Sequence, residues 1–303
     1  MIRISRILSA VPPVLVAIIA GCAQPGASAA DGKFVRIGST RPDLFGLPAE
    51  YRALHVRLEK CLGQPVRFVS QPDGPGLAKQ LELGNVAYAI VSPAEYAAME
   101  EPGKITVLAA ALNKSGKTSR LAYIVSRADS SVKSVADCKG KRFAFGAYRD
   151  LLTDTAAQRT LESRGVPVKN LFPELVTPPP LGMEFRLYLR DDAAKTVAFD
   201  PTVDAGIIDE LAYAALPDKG GNLITGPSKD QFKILDQTVA VPELLVLAGP
   251  AADPTLTAKL KDELLTKVKD DQRVCRDLGI AGFAEPDQAA CAAARQLLAK
   301  PGK

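Results

Sequence analysis

The 303-residue chain has no tryptophan, a single histidine, three methionines and five cysteines, and its aromatic residues amount to 6%. One imidazole, His55, leaves little for a transition metal to bind, and the cysteine spacing does not fit a zinc site. No Ser, Cys and Asp arrangement points at His55, which reads as a satisfied helix residue beside an apolar stripe rather than as a base. A Gly-x-Ser-x-Gly elbow is missing too, so the sequence offers no activated nucleophile. A basic excess is also lacking. The 38 Lys and Arg face 34 Asp and Glu, Arg3 and Arg6 lie in a segment expected to be removed, and the rest are scattered. That pattern excludes the clustered basic surface of a nucleic-acid binder. The apolar run from Ile7 to Ala20 is too short, and too interrupted by proline, for a comfortable membrane span.

What is present begins at the N-terminus. Met1 to Arg6 is a short basic region, the apolar run follows, and Ile19-Ala20-Gly21-Cys22 closes it. The tetrad resembles a bacterial lipobox, which implies a signal peptide over 1–21, cleavage before Cys22 and a lipid anchor on its thiol. An ordinary signal peptide cut near Ala29 or Ala30 is the alternative; both imply export. Residues 22–32 are small and polar and suit a flexible tether. Four cysteines follow: Cys61, Cys138, Cys275 and Cys291. An even set in an exported chain invites disulfides, with three possible pairings. Cys275 and Cys291, close in sequence and in two predicted C-terminal helices, are paired first. A Cys61 to Cys138 bond follows only if all four are oxidised, and a buried free thiol is the other reading of Cys138.

With 47% hydrophobic residues the chain is long enough for two medium cores, and two lobes are expected. Strands are predicted at Lys33 to Gly38, Val66 to Ser70, Val86 to Ser92 and Ile105 to Leu112, with helices at Pro48 to Leu62 and Gly76 to Leu83. Ser92-Pro93-Ala94-Glu95-Tyr96 reads as a helix start, with Ser92 as cap and Pro in the first turn. Arg120 to Ser126 reads as one long strand and the first crossing between lobes. The stretch from Lys139 to Gly165 joins a buried strand, Phe143 to Phe145, through Gly146 to a helix that closes at Gly165. Val203 to Ile208 is a strand that delivers Asp209 and Glu210 to the start of a short helix, where they serve as a cap and a first-turn acid or as ligand groups. Phe232 to Leu235 and Pro242 to Gly249 return the chain to the first lobe, and helices at Leu256 to Val268 and Gln288 to Ala299 end it. This places lobe 1 at 33–122 with 238–303, and lobe 2 at 123–237.

The element order and several phrases resemble the phosphate, phosphite and phosphonate substrate-binding proteins of ABC transporters, the PhnD-like branch of type 2 periplasmic binding proteins. The resemblance runs from Lys33 to Leu265. Its phrases are Leu83-Gly84-Asn85-Val86, Ser92-Pro93 with Tyr96, Ile124-Val125 before Asp129-Ser130, Val135-Ala136-Asp137 with Gly140 to Phe145, and Val203-Asp204-Ala205-Gly206. It implies an α/β fold of two lobes, mixed sheets flanked by helices and joined by two crossing hinge strands. It also implies a small-molecule ligand gripped in the cleft, hinge closure read by an inner-membrane permease, a monomer, and no catalysis or cofactor.

The ligand-binding residues expected on these grounds are Ser92, Tyr96, Tyr148, Arg149, Asp150, Thr153, Asp209 and Glu210. Where the family has a Ser-Thr-Ser-Gly run wrapping its anion, this chain has Gly146-Ala147-Tyr148-Arg149-Asp150. The family's Gly-Gly-His phrase is replaced by Leu181-Gly182-Met183. Three ligand classes stay open. An anion of phosphonate or phosphate type, held by Arg149 and free helix-start NH groups, leads on family grounds. A zwitterion or amine would use Asp150, Asp209 and Glu210 between Tyr96 and Tyr148. An apolar or sterol-like lipid would lie among Tyr148, Leu151, Leu181, Met183 and Phe185. A sensor subunit reporting ligand to a membrane partner is the alternative to transport.

Overall fold

The computed structural model describes residues 34–40, 47–99, 104–147, 150–168 and 193–299. Two mixed sheets organise them. The larger takes β1 (Val35–Ser39), β2 (Val66–Ser70), β3 (Tyr88–Val91), β4 (Thr106–Leu112), β11 (Leu245–Ala248) and β12 (Gly282–Ala284), in the order β12-β4-β11-β3-β1-β2. β1 pairs parallel with β2 and β3, whereas β11 runs antiparallel between β3 and β4. The smaller sheet takes β6 (Ala122–Arg127), β7 (Phe143–Ala144), β8 (Ala205–Asp209) and β9 (Phe232–Gln237), in the order β7-β8-β6-β9, and Val197 of α5 (Ala193–Phe199) packs on it with Val125 and Ile208.

Alternating residues send the larger sheet's side chains into two separate cores, as a period of two requires. On one face Ile37, Tyr88, Ile90 and Val246 meet Leu54, Leu58 and Leu62 of α1 (Arg52–Leu62), with Leu260 of α7 (Pro254–Asp262) and Val274 of α8 (Gln272–Leu278). On the other, Ala89, Val91, Leu245 and Leu247 meet Leu77 and Leu81 of α2 (Gly74–Glu82), Tyr96 of α3 (Pro93–Ala97) and Cys291 of α9 (Gln288–Leu298). Leu77 and Leu81 have no exposed surface, and each such side chain contributes about 2 kcal/mol by leaving water. His55 is satisfied within this layer, its Nε2 lying 2.8 Å from the Val66 carbonyl oxygen.

This two-faced arrangement corrects the expected disulfide. Cys275 belongs to the α1 side and Cys291 to the α3 side, so the sheet stands between them. A disulfide needs Cα atoms within about 7 Å, and helices on opposite faces of a sheet are roughly 20 Å apart. All four cysteines in the described residues are free thiols; Cys275 donates to the Val268 carbonyl at 3.3 Å.

Two short segments cross between the sheets. β5 (Ser119–Arg120) and β10 (Val241–Pro242) pair antiparallel, Arg120 opposite Val241. Each of the two strands read as continuous from sequence is therefore split: β5 leaves β6 at Leu121, and β10 is separated from β11 by Glu243 and Leu244. α9 also bridges. Its Ala294 and Leu297, with Ala97 of α3 and Val241, share one apolar cluster with Phe143, Leu151 and Leu152. The two sheets are thus joined by packing as well as by the crossing strands. No helix among the described residues is long and apolar enough to cross a membrane.

Candidate functional site

The strand β7 ends at Ala144, and Gly146 turns the chain toward a helix of two parts, a π-helical turn at Leu151–Ala156 continuing into α4 (Ala157–Ser163). Gly146 is required by space, because a Cβ there would run into the Thr153 side chain. The Gly146 NH donates to the Thr153 carbonyl at 3.1 Å. At the helix start Asp150 is the cap. Its Oδ1 accepts from the Leu152 NH at 3.1 Å, the Thr153 NH at 2.7 Å and the Thr153 hydroxyl at 2.8 Å. The Asp150 carbonyl accepts from both Asp154 and Thr155 NH groups, and the second of these, an i to i+5 bond, opens the π turn. Gly165, at φ +77°, follows α4 in the left-handed conformation expected of it. Tyr148 and Arg149 lie outside the described residues, as do Leu181, Met183 and Phe185.

The same economy governs the other helix starts. Ser92 caps α3, accepting from the Glu95 NH at 3.3 Å, while the Ser92 NH donates to Glu95 Oε2 at 2.6 Å. Thr40, just beyond β1, donates its hydroxyl to the other Glu95 oxygen. Tyr96 is buried, with the Arg295 guanidinium 4.4 Å above its ring, and burial pushes its phenol pKa up. Asp209 caps α6 (Glu210–Ala215), accepting from the Leu211 NH at 2.7 Å. All three starts therefore carry an internal carboxylate where a bound anion would find donors.

At the hinge, Arg120 gathers what the short strands bring together. Its Nη1 donates to Asp209 Oδ2 at 2.9 Å and its Nε lies 3.5 Å from Glu243 Oε1. Asn113 donates to the same Glu243 oxygen at 3.2 Å, and Lys117 reaches Glu210 at 3.3 Å. Burial raises the Glu243 pKa, with Arg120 and Asn113 opposing and the nearby Asp209 and Glu210 adding to the rise. Beside this network a pocket of about 520 Å³ opens, walled by α6 on one side and by Leu244 and the 278–280 turn on the other.

The expected residues thus fall into separate groups. Asp150 and Thr153 bond each other, Asp209 and Glu210 belong to the hinge, and Ser92 and Tyr96 sit on α3. Arg120, Asn113, Glu243 and Lys117 were not singled out from the sequence. Glu95 was visible as the fourth residue of a capping-box pattern, Ser-x-x-Glu.

Two mixed sheets joined by paired crossing segments define a type 2 periplasmic binding protein. The chain belongs to the family described as ABC transporter, phosphonate, periplasmic substrate-binding protein, whose model matches residues 47–291. Solved structures agree on the fold. XAC2383 from Xanthomonas citri, solved with chloride ion and with ATP, is 15% identical in the chloride form, covering 87% of this chain and 95% of its own, with a TM-score of 0.58. PhnD1 from Prochlorococcus marinus (MIT 9301), in complex with methylphosphonate, is 12% identical over 88% of this chain and 97% of its own, with a TM-score of 0.54. PA3383 from Pseudomonas aeruginosa, a binding protein component of an ABC phosphonate transporter, is 17% identical over 88% and 85%, with a TM-score of 0.50. The family places the protein outside the cytoplasm as the substrate-binding component of an ABC transporter.

Proposed function

We propose that this protein captures a small solute between its lobes and hands it to the transporter's permease, and that the solute is a neutral or cationic molecule rather than a phosphonate dianion. One observation carries the reading: Asp150 already fills the helix start after β7 with its own carboxylate, satisfying two NH groups and one hydroxyl. A dianion brought to that place would meet a like charge at contact distance and find those donors taken. A ligand that offers hydrogen-bond donors, an ammonium or hydroxyl group, meets the remaining acceptor capacity of the carboxylate. Capture of this kind needs no chemistry beyond binding and closure.

Family membership favours the second reading, an anion of the kind held by PhnD1. Thermal shifts separate the two, since a ligand at a hundredfold its Kd adds about 2.7 kcal/mol. Methylphosphonate and inorganic phosphate are expected to leave the wild-type Tm unchanged and to raise that of Asp150→Ser, whose helix start no longer carries a carboxylate to repel an anion. A wild-type shift with methylphosphonate overturns the reading. Native mass spectrometry of protein purified from its own host identifies the solute carried.

The mature protein is further proposed to begin at Cys22 as a lipid-anchored chain. Labelled fatty acid is then incorporated in cells and lost in Cys22→Ser; labelling that persists in the variant refutes the anchor.

A further inference from the structure

The hinge pocket sets apolar side chains of α6 that are not buried against half-buried ones that pack on the core of the larger sheet. α6 reads Glu210-Leu211-Ala212-Tyr213-Ala214-Ala215, apolar after its first residue, yet none of its side chains is buried. Leu211, Ala212 and Ala215 face the pocket from one lobe, and Leu244, Leu278 and Ile280 face it from the other. Most of the charges along its rim are engaged, although the buried Arg120 Nε has no hydrogen-bond partner. Arg120 is held by Asp209, Glu243 by Asn113, and Asp277 lies beside Arg273 and Arg276; Glu50 is not without a partner, and Lys114 stands exposed. A pocket whose charges are mostly ion-paired and whose walls keep some apolar surface in water gains most from an occupant that covers that surface and brings no charge.

We propose that this pocket binds an uncharged small molecule with an apolar body, seated between α6 and the 278–280 turn. The proposal rests on capture between the lobes and names the class of solute. Size suits a small molecule. The volume of about 520 Å³ is within the usual range for ligand pockets. Position gives the occupant a role, because α6 begins at Asp209, which Arg120 ties to the crossing strands. A molecule that bridges α6 and the opposite turn joins the two lobes.

The test is a fluorescence titration of the purified mature protein with N-phenyl-1-naphthylamine, an uncharged apolar dye. Saturable binding at one site per chain is expected. Ala212→Glu, an exposed position on α6, and Ile280→Glu on the opposite wall are each expected to weaken it at least tenfold with unchanged far-UV circular dichroism. Ile224→Glu, at a loop tip where the residue is 96% exposed, is expected to bind as wild type. Signal that never saturates, or Ala212→Glu binding as tightly as wild type, overturns the proposal. Asp150→Ser separates it from the reading of the helix starts. Dye binding should survive that change, and a methylphosphonate shift in wild type would sink the neutral-ligand reading while leaving the dye result standing.

Discussion

The helix start at Asp150 and the pocket at the hinge differ in what they leave unsatisfied. At Asp150 the polar groups are closed on one another: a carboxylate oxygen, two NH groups and a hydroxyl, with Gly146 packed on Thr153. At the hinge pocket the charges are ion-paired, though the Arg120 Nε has no hydrogen-bond partner, and no side chain of α6 is buried. Family resemblance directs attention to the first place. On the proposal above the second is the better receptor, because exposed apolar wall rewards an occupant and a closed polar ring does not.

The largest expected effect falls on the closed ring. Gly146→Val forces a branched side chain into the space of Thr153, and overpacking of this kind costs about 3 kcal/mol. Urea unfolding should show the loss in full, whereas Ala212→Val, on the open wall, should cost no more than a few tenths. Equal losses at the two positions would erase the contrast. Next comes Arg120→Ala. Asp209 and Glu243 have side chains only 17% and 16% exposed, so stripping their shared cation leaves poorly solvated carboxylates and costs about 2 kcal/mol. Lys at this position should recover only part of the loss, since one ammonium does not span both acids as the guanidinium does. Asp150→Ala removes a helix cap for about 1 kcal/mol, while Asp150→Ser keeps a capping oxygen and most of the stability. A Ser variant as weak as the Ala variant would show that charge, not the cap bond, holds this start.

Much of the fold was legible because it is written locally. The alternation Ile37, Tyr88, Ile90 against Ala89 and Val91, the i to i+4 stripe of α1, the Ser92-Pro93-x-Glu95 start and the Gly165 stop are all short-range patterns that the structure realises. Failures occurred where the answer depends on which face or which distant segment a residue meets. Cys275 and Cys291 are near in sequence, but no local pattern shows that a sheet divides them. Strand splitting at Leu121 and at Glu243-Leu244 reflects the hinge, where chain geometry yields to the crossing and a continuous apolar run misleads. Within the site, Asp150 and Asp209 were recognisable as helix-start acids, but Arg120, which binds Asp209 across 89 residues, was read only as the beginning of a strand. The apolar face of α6 was written in Leu211 to Ala215; that it is left uncovered depends on where the 278–280 turn falls in space.

The smallest effect concerns Glu243, and its sign tests whether the hinge network is satisfied as a set. Burial raises its pKa despite Arg120 and Asn113, so the folded state holds the proton more tightly than the unfolded chain does. A raised folded pKa means a contribution to stability that is present at acid pH and lost as pH rises through that value. Glutamine keeps the shape, accepts from Asn113 and carries no charge to desolvate. Glu243→Gln should therefore gain on wild type as pH rises from about 4 toward 7, with the two converging at the acid end where the wild-type carboxyl is protonated. Paired thermal melts across that range would read the divergence directly. If wild type instead gained on the variant with rising pH, the attraction of Arg120 would outweigh the burial of Glu243, and the rim of the pocket would be an ion pair that favours charge rather than one that tolerates it.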